Sequence, residues 1–144
     1  LRVEQLDHTA DMIRIQMSSS RLEAGNQMVL GGPNGVRAYT TVDGLGDHGA
    51  LLSLGAKRRW SSGHSVGFFY DGGRIKLLNP QATEPQKSHR LEALGTEIRG
   101  PVSGGIYNLT MAKGMGGYKG WNSTNIESKP NNWRFFASIH LFLH

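Results

Sequence analysis

Apolar and polar side chains alternate with period two in several stretches of this 144-residue chain, and each stretch ends at residues that favour turns. Such alternation predicts half-buried β-strands, because successive side chains of a strand point to opposite faces. In residues 12–17, Ile13, Ile15 and Met17 fall on one side and Arg14 and Gln16 on the other. In residues 50–56, Ala50, Leu52, Leu54 and Ala56 share a face that continues past Arg58 to Trp60, with Ser53, Gly55, Lys57 and Arg59 opposite. The last segment is the clearest. Trp133, Phe135, Ala137, Ile139, Leu141 and Leu143 line one face, and Arg134, Phe136, Ser138, His140, Phe142 and His144 the other. That pattern predicts a long strand deep within a sheet, with Phe135, Ile139 and Leu141 in the core.

The breaks between these stretches carry their own chemistry. Ser18-Ser19-Ser20 ahead of residues 21–24, closed by Gly25, predicts a single capped helical turn. Residues 27–30 and 36–42, on either side of Gly31-Gly32-Pro33-Asn34-Gly35, predict a hairpin, since Asn-Gly accepts positive φ. The strongest hairpin signal is residues 64–70 and 74–79 around Asp71-Gly72-Gly73. Residues 43–49, 80–88 and 113–130 read as polar loops, residues 101–112 as β, and residues 89–98 fit a short helix and a strand equally. Seven to nine strands result, with no internal repeat and no domain-scale linker. The predicted fold is a single all-β domain covering residues 1–144: an antiparallel sandwich, a jelly roll or a closed barrel.

Composition narrows the chemistry. Twenty glycines and five prolines argue against long helices, each glycine costing about 0.5–1 kcal/mol relative to alanine inside a regular element. The absence of cysteine removes disulfides, zinc-thiolate sites, iron–sulfur clusters and cysteine nucleophiles together. The longest uncharged runs, residues 24–36 and 100–112, hold 13 residues each and are broken by glycine and proline, too short for a membrane-spanning helix of about 20 residues. Residues 1–56 carry four basic and six acidic side chains, residues 57–144 twelve basic and five acidic, so the net +5 comes from the second part. A basic surface of that kind attracts phosphates and acidic glycans. Residue 1 is Leu, which points to a processed or trimmed chain.

Several clusters carry candidate chemistry. Lys113, Tyr118, Lys119 and Trp121 stand in a Gly-rich stretch whose backbone can approach an anion or a sugar ring closely. Lys57-Arg58-Arg59-Trp60 is the densest basic cluster, and alternation assigns Lys57 and Arg59 to one face and Arg58 and Trp60 to the other. These residues, without Arg58 and Trp60, form the predicted ligand-binding set. Asp43, Asp47 and His48 suit a cation or sugar loop, but turn chemistry alone accounts for them. Ser61, Ser62 and His64 lie close in sequence without a nucleophile elbow, and Asn108-Leu109-Thr110 and Asn122-Ser123-Thr124 are glycosylation sequons. Asp7-His8-Thr9-Ala10-Asp11 places two carboxylates and an imidazole within five residues, short of a metal site unless distant segments add ligands. The string from Leu6 to Asp11 resembles the opening of the archease family, RNA-ligase activators whose acidic residue in this stretch helps bind metal; the Gly-rich remainder departs from that family's pattern. Ser123-Thr124 with Lys129-Pro130-Asn131 resembles the tail of the lipid A deacylases, in which a His precedes the Ser by two positions, where this chain has Trp121. No catalytic residue, metal or cofactor is predicted.

Two function classes follow. The first is a non-enzymatic structural, assembly or binding β protein, such as a virion, fibre or coat subunit or a glycan-binding module. Its partners are further copies of itself or an anionic polymer or glycan, with nucleic acid ranked behind these, and its place is a virion, the extracellular space or a cell surface rather than the cytoplasm. The second is a small outer-membrane β-barrel, extending to a lipid-modifying hydrolase, in which the apolar face of residues 133–143 meets lipid and Arg134, Ser138 and His140 face the lumen.

Overall fold

A computed structural model describes residues 6–17, 22–41, 44–78, 88–115 and 131–142. The chain is all-β, with eight strands among the described residues: β1 Leu6–Gln16, β2 Met28–Val29, β3 Leu45–Gly46, β4 His48–Arg59, β5 Ser65–Lys76, β6 Ser88–Val102, β7 Gly105–Gly114 and β8 Trp133–Leu141. Six of them form one antiparallel sheet in the order β1-β4-β5-β6-β7-β8, so each long strand pairs with the next long strand along the chain; β2 and β3 pair separately. A 3₁₀ turn, Ala24–Asn26, runs through Gly25, the residue expected to end a helical turn over residues 21–24; its N-cap, Glu23, makes no side-chain capping bond, and residues 18–21 lie outside the described residues. The sheet is open, with β1 and β8 at its edges.

The connections differ sharply between the two ends of the sheet. At one end β4 turns into β5 through residues 60–64, closed by Trp60 N–H to His64 O at 2.9 Å, with Gly63 at φ 84°. At the same end only Ser103 and Gly104 separate β6 from β7, and Gly104 supplies the positive φ of 73°. At the other end lie the long connections, residues 17–47, 77–87 and 115–132.

Part of the first long connection forms the core. Residues 28–41, here called the strap, fold back over one face of the sheet and bury Met28, Leu30, Val36, Ala38 and Tyr39 against Leu51, Phe69, Ile75, Leu91, Ala93 and Ala112. Leu30 N–H to Gly44 O and Val36 N–H to Leu30 O, both 2.8 Å, hold its backbone, as does Gly32 N–H to Tyr39 O at 3.0 Å. Each fully buried aliphatic side chain contributes about 1.5–3 kcal/mol.

Four sequence expectations change here. Residues 71–73 are not a turn: β5 runs through Asp71, Gly72 and Gly73 without interruption, paired to β4 and β6 on both sides. A Cβ on Gly73 would stand 2.3 Å from Leu30 Cδ1, so its lack of a side chain makes room for the strap rather than for a reversal. Residues 36–42 form no strand with residues 27–30. Met28–Val29 pairs instead with Leu45–Gly46, and residues 31–41 are a compact series of turns tied by a Gly31–Val36 bridge. Residues 89–98 belong wholly to β6. The last strand is an edge strand rather than a central one, and Phe135, Ile139 and Leu141 are 71, 65 and 64% exposed instead of buried. Period two identified the two faces of the strand correctly, but it carries no information about which face meets the core.

Candidate functional site

The covered face of the sheet holds a polar network as well as the core. Asp71, at the middle of β5, is fully buried. Its Oδ2 accepts from Arg37 Nε at 2.8 Å and from the Arg37 backbone N–H at 3.1 Å, while Oδ1 accepts from Arg37 Nη2 at 2.8 Å and from Ser53 Oγ at 2.6 Å. Four donors on one carboxylate satisfy a charge that would be costly to bury alone. Arg37 comes from the strap, and its guanidinium lies 3.3 Å above the centroid of Phe69. Phe69 in turn lies on Gly95 of the neighbouring strand, where a Cβ would approach Phe69 Cζ to 2.2 Å and Met111 O to 2.4 Å. The glycine therefore allows the ring to lie flat beneath the cation.

From this pair the network continues toward the end with the tight turns. Glu97 Oε1 meets Lys57 Nζ at 2.7 Å, and Glu97 Oε2 lies 3.6 Å from Arg37 Nη1. Lys57, Ser53, Arg37, Glu97, Arg99 and Asn108 line one cleft there.

The opposite face of the sheet is apolar and exposed. Strand register aligns Ala56, Phe68, Thr96, Met111 and Phe135 in one row across five strands, and Arg58, Val66, Ile98, Leu109 and Ala137 in the row two residues nearer the tight turns. Leu54, Phe68, Leu94, Ile98, Leu109, Phe135, Ile139 and Leu141 are all exposed. Isolated exposed apolar residues need no explanation, but a field extending over five strands, with Arg58 and Thr96 its polar members in these rows, does. Toward the long connections the same face turns charged: Arg74, Lys76 and Arg90 are exposed, and Glu92 Oε1 accepts from both Tyr70 Oη and Arg90 Nη2 at 2.7 Å. Lys113 Nζ lies 5.4 Å from the ring centroid of Trp133 at this border.

The predicted ligand set is not brought together among the described residues. Lys57 and Arg59 stand on β4 on the covered face, as alternation assigned them, with Arg58 5.7 Å from the Trp60 ring on the other. Lys113 is on the exposed face of β7, whereas Tyr118, Lys119 and Trp121 lie outside the described residues. The backbone of residues 7–11 is part of β1, and no group of three or more His, Asp or Glu side chains suited to a metal occurs among the described residues. Asp47 is buried and does structural work, its Oδ1 accepting from Leu22 N–H at 2.8 Å and its Oδ2 from Leu78 N–H at 2.7 Å. Ser62 Oγ and His64 Nδ1 do meet, at 3.1 Å, in the exposed β4–β5 turn; the imidazole's ring neighbour is Tyr107, and no carboxylate orients it among the described residues.

The sequence pattern does not single out Arg37, Glu97 and Arg99, and it presents Asp71 and Asn108 only as a turn residue and part of a sequon, although a signal exists for Arg37 and Asp71. Arg37 is the one charge between Glu23 and Asp43, and Asp71 the one acid between Asp47 and Glu84. A lone cation in an otherwise uncharged stretch and a lone acid flanked directly by aromatic residues and glycines are candidates for each other. No family model, no curated protein and no solved structure matches this chain.

Proposed function

We propose that this chain is a membrane-embedded β protein of the outer-membrane type, its apolar face against acyl chains, its polar face under the strap, and its open edges β1 and β8 paired with further strands so that no backbone edge meets lipid. The observation that carries the proposal is the exposed apolar field on Leu54, Phe68, Leu94, Ile98, Leu109, Phe135 and Ile139, set opposite a face that buries Asp71 beneath the strap's Arg37. A sheet folded in water has one face on the core and the other solvated and polar, whereas here the face away from the core is apolar as well. Long strands of 9–15 residues suit a membrane crossing of about 9–11 tilted residues. Tight turns at one end and long connections at the other also match that architecture.

The border of the apolar field adds a further argument. On β5 and β6 the first cations are Arg74 and Arg90, level with Ala50. On β7 and β8 the border residues Lys113 and Trp133 are level with Leu54, four residues further along the strands. A border that steps along successive strands becomes horizontal when the strands tilt by about 35–45°, the tilt of membrane barrels. No helix among the described residues is long and apolar enough to cross a membrane.

The reading is of an embedded scaffold with a polar interior. A lipid-modifying reaction would draw on residues 123–131, of which 123–130 lie outside the described residues, and Trp121 stands where the lipid A deacylases have a His, so no reaction is proposed. The competing reading, an assembly or binding protein in water, requires another protein to cover the apolar face. Refolding separates the two. The chain is diluted from urea into detergent-free buffer, into zwitterionic micelles and into phosphatidylcholine vesicles, then followed by circular dichroism and sedimentation. The expected result is aggregation in buffer and a monodisperse β-rich state in micelles and vesicles. A folded, monodisperse species in buffer overturns the proposal, with a large regular particle indicating assembly and a monomer a binding module.

A further inference from the structure

A cleft of about 310 Å³ opens on the covered face, between the tip of the strap at Gly35 and the strands β4, β6 and β7. That volume falls at the small end of the range for small-molecule sites, about 300–1,000 Å³. Arg37, Lys57 and Arg99 line it against a single carboxylate, Glu97. Asp71 neutralises Arg37 from behind, and Glu97 is engaged by Lys57 at 2.7 Å, so the excess positive charge rests on Arg99. Arg99 is exposed and has no ion-pair partner among the described residues. An unshared guanidinium fork is suited to a carboxylate or a phosphate.

The same wall holds a second, independent signal. Asn108 Oδ1 is buried and receives no hydrogen bond among the described residues. A buried acceptor in a cleft wall calls for a donor, and a hydroxyl supplies one. We propose that this cleft binds a hydroxyl-bearing anion of monosaccharide size, its acid group on Arg99 and a free N–H of Lys57, its hydroxyl donating to Asn108 Oδ1. The cleft and the apolar field lie on opposite faces, so this site stands whether or not the far face meets lipid.

Titration calorimetry tests it on the folded chain, in zwitterionic sugar-free micelles or in plain buffer according to which keeps the chain folded. The probes are glucuronate, glucose 6-phosphate, glucose and inorganic phosphate. Both acidic sugars are expected to bind saturably, and glucose at least tenfold more weakly. Arg99→Gln is expected to weaken both acidic sugars at least tenfold with its melting profile unchanged, because Arg99 is exposed. Asn108→Ala is expected to weaken the acidic sugars but not inorganic phosphate, while Lys76→Gln, on the far face, changes neither. A carboxylate site is told from a phosphate site by which acidic sugar binds more tightly. Equal binding of glucose and glucuronate, no binding of either acidic sugar, or parent affinity in Arg99→Gln overturns the proposal.

Discussion

Replacing Arg37 by methionine tests what holds the strap on the sheet. The change keeps most of the side-chain length but removes two of the four hydrogen bonds on Asp71, those from Nε and Nη2 at 2.8 Å, together with the cation above Phe69. The Arg37 backbone N–H and Ser53 Oγ remain as donors. Asp71 has no solvent exposure, so water cannot replace the lost donors while the strap stays in place. Breaking a buried ion pair on one side costs about 3–5 kcal/mol, and loss of a desolvated cation–π contact adds up to about 2 kcal/mol. The strap's own release limits this sum: once opening becomes cheaper than burying a lone carboxylate, residues 28–41 lift away and Asp71 meets water. Two assays separate the cases. Urea unfolding reports the global loss, about 2 M in midpoint for a loss of about 4 kcal/mol at a slope of about 2 kcal/mol/M, and limited proteolysis reports cleavage within residues 28–41. The double variant Arg37→Met/Asp71→Leu should recover most of the loss, because a buried pair replaced by apolar residues is often neutral or stabilising. If Arg37→Met lies within about 1 kcal/mol of the parent by urea and its strap is cut no faster, the pair does not hold the strap and the reasoning fails.

Three further outcomes follow from the two faces of the sheet. Phe68→Lys, in the middle of the exposed field at 65% exposure, should destabilise the chain in vesicles by about 2–4 kcal/mol and Phe142→Lys, beyond the end of β8, by about 0–1 kcal/mol; equal unfolding midpoints for the two variants contradict a bilayer contact. Leu91→Ala, fully buried under the strap, should lose about 2–5 kcal/mol, whereas Leu141→Ala on the exposed edge strand should lower the melting temperature far less, and the reverse order would return the core to the C-terminal strand. Gly95→Ala, whose Cβ would meet both the Phe69 ring and the Met111 carbonyl, should cost about 1–3 kcal/mol, while Gly25→Ala, with nothing within 4 Å, should leave the melting curve in place.

Much of the fold was legible in the residues themselves. Alternation assigned the two faces of β4 and β8 residue by residue, because a pleated strand leaves no other arrangement, and the glycine content excluded long helices. Local pattern was silent on what each face would meet. An alternating strand is the same string whether its apolar side packs on a core or faces outward, and only the position of residues 28–41 settled that for Leu51, Leu91 and Ala112 against Phe135 and Ile139. The Asp71-Gly72-Gly73 string illustrates the limit most sharply. Its local preference is a turn, yet Arg37, 34 residues away, supplies the guanidinium that lets Asp71 remain inside a continuous strand, and Leu30 fills the space that Gly73 leaves. Turn propensity is worth about 1 kcal/mol or less per residue, and an ion pair with two ladders of backbone hydrogen bonds outweighs it. The cleft was hidden for the same reason: Arg37, Lys57, Arg99 and Asn108 are scattered over 72 positions of sequence, counted from Arg37 to Asn108 inclusive, and only the pairing of β4 through β7 beneath the strap brings them to one place.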